Sequence, residues 1–131
     1  MPLDPYEYSE NEAWLLFQLN NTPVRTEMDG DFNAIAILDV ASGMIFGMEL
    51  VPIVESEISE FQSRKLLSSS ESRAKSRPRL LFVPSERKTS IFSAVASKMG
   101  IVVEILPESE FEPLTKEAID GFSAHMSRQR L

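Results

Sequence analysis

The run AIAILDVASGMIFGMELVP, residues 34 to 52, limits what this chain can fold into more than any other stretch. From Asn33 to Val40 both alternating faces are apolar except at Asp39, the pattern of a strand covered on two sides. Ala41-Ser42-Gly43 then turns the chain, with Gly43 free to take the left-handed conformation that a three-residue hairpin needs. Met44 to Val51 returns as the partner strand, and Pro52 ends it. With both faces apolar, a chain this short is expected to leave one partly uncovered, and a homodimer that hides it follows as an expectation.

Asp39 has two readings. Its carboxylate can accept the backbone N–H of Ala41 or Ser42, an Asx-type turn that starts the hairpin. Alternatively it is a metal-binding or general-base carboxylate, which needs a partner acid. If Asp39 lay on the first core strand, Glu86 would be that partner.

Elsewhere the elements are shorter. The first eight residues read as a tail. SENEAWLLFQLN carries Ser9 and Glu12 at capping-box spacing ahead of Trp14, Leu15, Phe17 and Leu19, which predicts a short helix. PVRTE, between Pro23 and the Asp29-Gly30-Asp31 cluster, reads as a short edge strand. Ile58, Phe61 and Lys65/Leu66 predict a helix over about 56–67, with acids early and bases late as its dipole favours. SSSESRAKSRPR has no large apolar residue and reads as a flexible basic, serine-rich loop over 68–78. RLLFVP is a short buried strand, Ser85 caps a helix striped by Ile91, Phe92, Val95 and Met99, and Gly100 stops it. IVVEIL returns as a second strand, so the unit is a right-handed parallel crossover. A last helix presents Leu114, Ala118, Ile119, Phe122 and Met126 on one side, and 127–131 forms a tail.

With 131 residues, 43% of them hydrophobic and 25% charged, the chain has the size and composition of a single domain, 1–131, around one core. It contains no cysteine, so disulfides and thiolate chemistry are excluded. No segment reads as a signal peptide or a membrane span, and a cytoplasmic setting is expected. Residues 1–62 hold 12 acids against Arg25 alone, while Arg64 to Lys88 holds eight bases against Glu71 and Glu86. The net charge of -7 opposes extensive binding to phosphate backbones and leaves room for a small anion-binding patch.

The order hairpin, helix, strand, helix, strand, helix resembles the ribonuclease H-like fold. AIAILDVASGMIFGMEL is similar to the second and third strands of retroviral-type integrase and transposase cores. RPRLLFVPSERKTSIFSAVASKMGIVVEILP is similar to their fourth strand, helix and fifth strand. The same Asp-x-x-[ST]-Gly hairpin, Arg-Pro strand and Gly-Ile strand also resemble small uncharacterised bacterial domains, a likeness that implies no activity. Both likenesses imply an α/β fold: a mixed sheet with the antiparallel hairpin and a parallel βαβ unit, and helices on its faces.

The integrase likeness also implies where acids would stand. Two-metal phosphoryl transfer needs about three carboxylates holding ions roughly 3.5–4 Å apart. The first acid would lie on the first strand, taken as PVRTEM, which offers Glu27. The second follows the fourth strand and is Glu86, and the third is Glu108, Glu110 or Glu112, after the fifth strand. None sits in the family's own local context, so these acids read by default as surface charge.

The basic stretch Arg73, Lys75, Arg77 and Arg79 is the candidate binding segment, for phosphate or an acidic partner. It lacks the interleaved aromatics of single-strand nucleic-acid binders. His125 has no triad partner at a suggestive spacing, no G-x-S-x-G or phosphate-binding glycine loop occurs, and Met44, Met48 and Met99 suit core filling. The expectation is therefore a non-catalytic binding or regulatory module that acts on a protein partner or on itself, without cofactor, nucleic acid or membrane. The alternative is a divergent integrase-type phosphodiesterase using magnesium or manganese at Asp39, Glu86, Glu108 and Glu110.

Overall fold

A computed structural model describes residues 2–27 and 30–128. Its centre is β1 (Ala13–Gln18), the segment expected to be helical. Ala13 to Phe17 are all buried, with Trp14 and Leu16 in the core on one face of the sheet and Ala13, Leu15 and Phe17 in the core on the other. An amphipathic helix buries one stripe only, whereas a run apolar in every position fits a strand flanked on both sides. The Ser9–Glu12 signal is real but serves a turn. Glu12 accepts the Ser9 N–H at 3.0 Å, as a capping box would, and the chain then extends into the strand.

The hairpin forms as expected from β3 (Asp31–Asp39) and β4 (Ile45–Pro52), with Gly43 at φ +75° in the turn. One edge of β3 pairs antiparallel with β4 and the other with β1. β2 (Val24–Arg25), a two-residue strand, pairs with Asp31 and Phe32 beyond the end of β1. β1 pairs parallel with β5 (Leu80–Pro84), and β5 pairs parallel with β6 (Val102–Leu106). The sheet thus runs β4, β3, β1, β5, β6, the mixed arrangement implied by the ribonuclease H-like likeness.

α1 (Glu60–Ala74) and α2 (Ser90–Lys98) cover one face, and α3 (Glu112–Arg128) packs on the other through Leu114, Ala118, Ile119 and Phe122. α1 starts later and ends later than expected. Ser59 caps it by accepting the Gln62 N–H, which leaves Phe61 76% exposed while Ser63, Leu66, Leu67 and Ser70 turn inward. The segment expected to be a loop over 68–78 is helical as far as Ala74. Small residues hold it there, because Ser69 and Ser70 let the helix lie close to Gly47 on β4 where a large side chain would not fit. The helix stops at Lys75, at φ 58°.

α2 begins at Thr89 and not at Ser85, whose N–H is taken by the Leu106 carbonyl at 2.9 Å. The first residues are no loose tail. Leu3 donates its N–H to Glu110 O at 3.1 Å, and Tyr8 meets Phe82 edge-on at 6.0 Å. Of the C-terminal tail expected over 127–131, 127 and 128 belong to α3 and 129–131 lie outside the described residues. Among the described residues, no helix is long and apolar enough to cross a membrane.

α1 approaches the sheet closely at Gly47. A Cβ there would lie 2.7 Å from Ser70 Oγ and 3.1 Å from Leu66 Cδ1. Gly47→Val is expected to lower unfolding free energy by about 1–3 kcal/mol, the cost of overpacking a filled site. Ser70 Oγ is buried without a hydrogen-bond partner, so Ser70→Ala is expected to raise stability by about 1 kcal/mol. Urea denaturation of both variants checks the pair.

Candidate functional site

Asp39 and Glu86 lie at opposite ends of the sheet. Trp14 pairs with both Asp39 on β3 and Leu81 near the start of β5, whereas Glu86 follows the end of that strand. Five residues of extended chain separate the two levels by roughly 15 Å. Asp39 is therefore no partner for Glu86. Its carboxylate, 1% exposed, accepts the Asn11 N–H at 2.9 Å, the Ser42 N–H at 3.1 Å and the Ser42 hydroxyl at 2.7 Å. Asp39 fastens the hairpin turn to the loop that leads into β1, the local role its sequence context favoured.

The other end of the sheet holds a polar cluster. β1 and β5 are parallel, so Gln18 and the 85–89 loop emerge side by side, and the approach to α3 crosses them. Arg87 lies at the centre. It donates from Nη1 to Gln18 Oε1 at 2.6 Å and from Nε to Glu108 Oε1 at 2.9 Å. The Gln18 amide is held in turn by donating to Asn20 O at 2.8 Å. Glu86 turns to the backbone, accepting the Glu108 N–H at 2.9 Å and the Ser85 hydroxyl at 3.0 Å. The Glu108 N–H, seconded by Ser85 and the nearby Arg87, holds the Glu86 carboxyl below its ordinary range against a smaller effect of burial.

Beside this cluster lies a cavity of about 270 Å³, floored by Leu16, Ile35, Val51 and Ile58. Glu57 stands at its wall with a side chain only 7% exposed. Burial pushes its carboxyl up. The Ile91 N–H at 2.9 Å, the Ser90 hydroxyl at 3.1 Å and Lys88 at 3.5 Å outweigh that, so it titrates below the ordinary value. Glu57 is thus the anion at the α2 N-terminus, where the helix dipole favours one.

Of the remaining expected site residues, Glu112 opens α3 and lines a second cavity together with Gln18, Arg87 and Glu108. Glu27 is exposed beyond β2, away from the first core strand, Glu110 gives its carbonyl to Leu3, and His125 is exposed near the end of α3. Among the described residues, no three acid or histidine side chains gather as a metal site would require. The basic segment is divided. Arg77 grips Glu71 at 2.8 Å and Met99 O at 2.9 Å, and Arg79 pairs with Glu12 at 3.0 Å. Arg73 and Lys75 extend from the end of α1, exposed and without a side-chain partner among the described residues. Glu86 and Glu108, both expected acids, do meet, whereas Gln18 and Arg87, which join them, and Glu57 nearby carried no motif. Only the parallel pairing of β1 with β5 brings Gln18 and Arg87 together.

Two variants separate the ends of the sheet. Asp39→Ala orphans two backbone N–H groups and is expected to cost about 2 kcal/mol or more, measured by chemical denaturation. Glu57, with its folded value below its unfolded one, adds stability above the ordinary carboxylate range and loses it as pH falls through that range. Acid unfolding of wild type beside Glu57→Gln is expected to show the larger loss in wild type below about pH 4.5, with the two curves parallel above it.

No curated protein matches the chain. Among solved structures, the catalytic core domain of HTLV-2 integrase, in complex with magnesium and in a dimeric form, superposes with a TM-score of 0.52 at 12% identity. The match covers 81% of this chain and 64% of that one, so the chain spans less than two thirds of its structural neighbour. The likeness shows a ribonuclease H-like fold. A family model described as a domain of unknown function (DUF6930) matches residues 12–123, and the chain belongs to that family.

Proposed function

We propose that this protein is a non-catalytic binding module of the cytoplasm that works through protein contacts. The observation that carries the reading is Arg87. Its guanidinium bridges Gln18 and Glu108 where strand ends and helix start meet, the place where the integrase likeness asks for acids around metal ions. An amide stands at the end of the first strand in place of a carboxylate. Each unit of positive charge on an ion 4 Å from the guanidinium would be opposed by about 4 kcal/mol at an effective dielectric of 20. Glu86 already accepts a backbone N–H and Glu108 is paired through one oxygen with Arg87, so a metal ion would compete with both contacts.

The surface favours protein contacts. Met48 and Leu50 share a face of the sheet with Ala34 and Ala36, yet they are 44% and 39% exposed at its edge. Beyond the end of β4, Ile53 and Val54 are also exposed, Val54 at 88%. A protein surface, a second copy included, suits such an apolar edge better than a charged polymer does.

Millimolar magnesium or manganese is expected to leave the melting temperature of wild type and of Glu86→Ala unchanged, and to leave DNA uncut in the protein's presence. A metal-dependent rise in Tm that Glu86→Ala abolishes would overturn the reading in favour of a divergent metal-dependent phosphodiesterase.

A further inference from the structure

The two edges of the sheet are finished differently. β4 is guarded. α1 lies along it, Gln62 Nε2 donates to the Leu50 carbonyl at 2.7 Å, and Lys65 reaches Glu49 at 3.7 Å. β6 has no such cover, and among the described residues no strand lies beyond it. Val102 donates its N–H to Arg79 O at 3.0 Å, and Leu106 O accepts the Ser85 N–H at 2.9 Å. Backbone groups alternate sides along a strand, so residues 102, 104 and 106 face β5 while Val103 and Ile105 turn theirs outward. Two N–H and two C=O groups therefore point away from the sheet.

The side chains around this edge have a definite chemistry. Val102 is 54% exposed on one face and Ile105 65% exposed on the other, with Glu104 between them. Burial raises the Tyr8 phenol, and the charges of Glu7, Glu104 and Glu12 raise it further against Arg79, so the field on this side of the sheet is negative on balance. Arg79 is itself paired with Glu12.

We propose that the free edge of β6 takes up an extended segment of a partner protein as an added strand, with a lysine or arginine set between apolar residues so that the base meets Glu104. Main-chain hydrogen bonds to Val103 and Ile105 hold such a segment, Val102 and Ile105 offer apolar shoulders, and the acids select its charge. A second copy is a poor occupant. β6 runs Val102–Leu106, so antiparallel pairing with itself about its middle residue would set Glu104 against Glu104. This inference rests on the reading as a protein-binding module and names the class of partner.

The test uses two acetylated, amidated peptides that alternate valine and threonine, one with a central lysine and the other with a central glutamate. They are titrated into the full chain while the amide signals are followed by NMR. The lysine peptide is expected to bind at least tenfold more tightly and to shift the Val103 and Ile105 amides. Glu104→Lys is expected to reverse the preference. Ile105→Pro removes an outward N–H and no bond to β5, so it is expected to abolish binding while preserving the melting temperature. If Ile105→Pro does not fold, the charge reversal at Glu104 decides alone. Equal binding of both peptides, no binding of the lysine peptide, or edge shifts that grow with protein concentration alone would each overturn the inference. The metal titration above is independent of it, so failure here without a metal response removes the edge site and leaves the module reading standing.

Discussion

Burial of β1 on both faces and along both edges is the constraint from which the rest of the molecule follows. Trp14, Leu15, Leu16 and Phe17 are nearly or wholly withdrawn from water, and each large side chain so buried is worth roughly 1.5–3 kcal/mol. That gain is available only when helices close both faces and strands supply both neighbours. The antiparallel partner is the hairpin strand β3 and the parallel partner is β5, so β1 joins the two halves of the chain. It also sets what stands at each end. Its start meets Asp39 and the loop at Asn11, and its finish presents Gln18 to Arg87.

Charge in this protein is handled locally. Asp39, Glu57, Glu86 and Glu108 are each satisfied by a backbone N–H, a hydroxyl or one neighbouring cation. Carboxylates engaged in this way are fixed in place, and releasing one to a new ligand means losing hydrogen bonds already formed. At the meeting point of its strand ends the fold carries the Arg87 guanidinium. The two edges of the sheet are finished differently. On β4 the helix α1 blocks backbone pairing but leaves Met48 and Leu50 uncovered, while on β6 the backbone itself is open.

The hairpin, the parallel crossover and the last helix were legible because each declares itself locally, through alternation, a glycine stop at Gly43 or Gly100, or a helical stripe. β1 was not, since an apolar run behind a capping-box spacing fits a helix until the neighbouring strands are known. Misreading it displaced the expected first acid to Glu27, on the wrong segment. α1 was cut short for a related reason. Ser69 and Ser70 carry no hydrophobic signal, yet their smallness is what lets the helix pack against Gly47.

By itself, the sequence determined the order of elements from the hairpin onward, the hairpin with its Asp39 turn, and the lack of cysteine chemistry, because these depend on residues close together along the chain or on composition. Tertiary structure alone decided that Gln18 and Arg87 meet, that Asp39 and Glu86 stand at opposite ends of the sheet, and that Glu57 fills the α2 N-terminus. Those relations depend on the direction and register in which distant strands pair. Register is fixed by burying both faces of β1 at once, a condition on the whole molecule that no single segment carries.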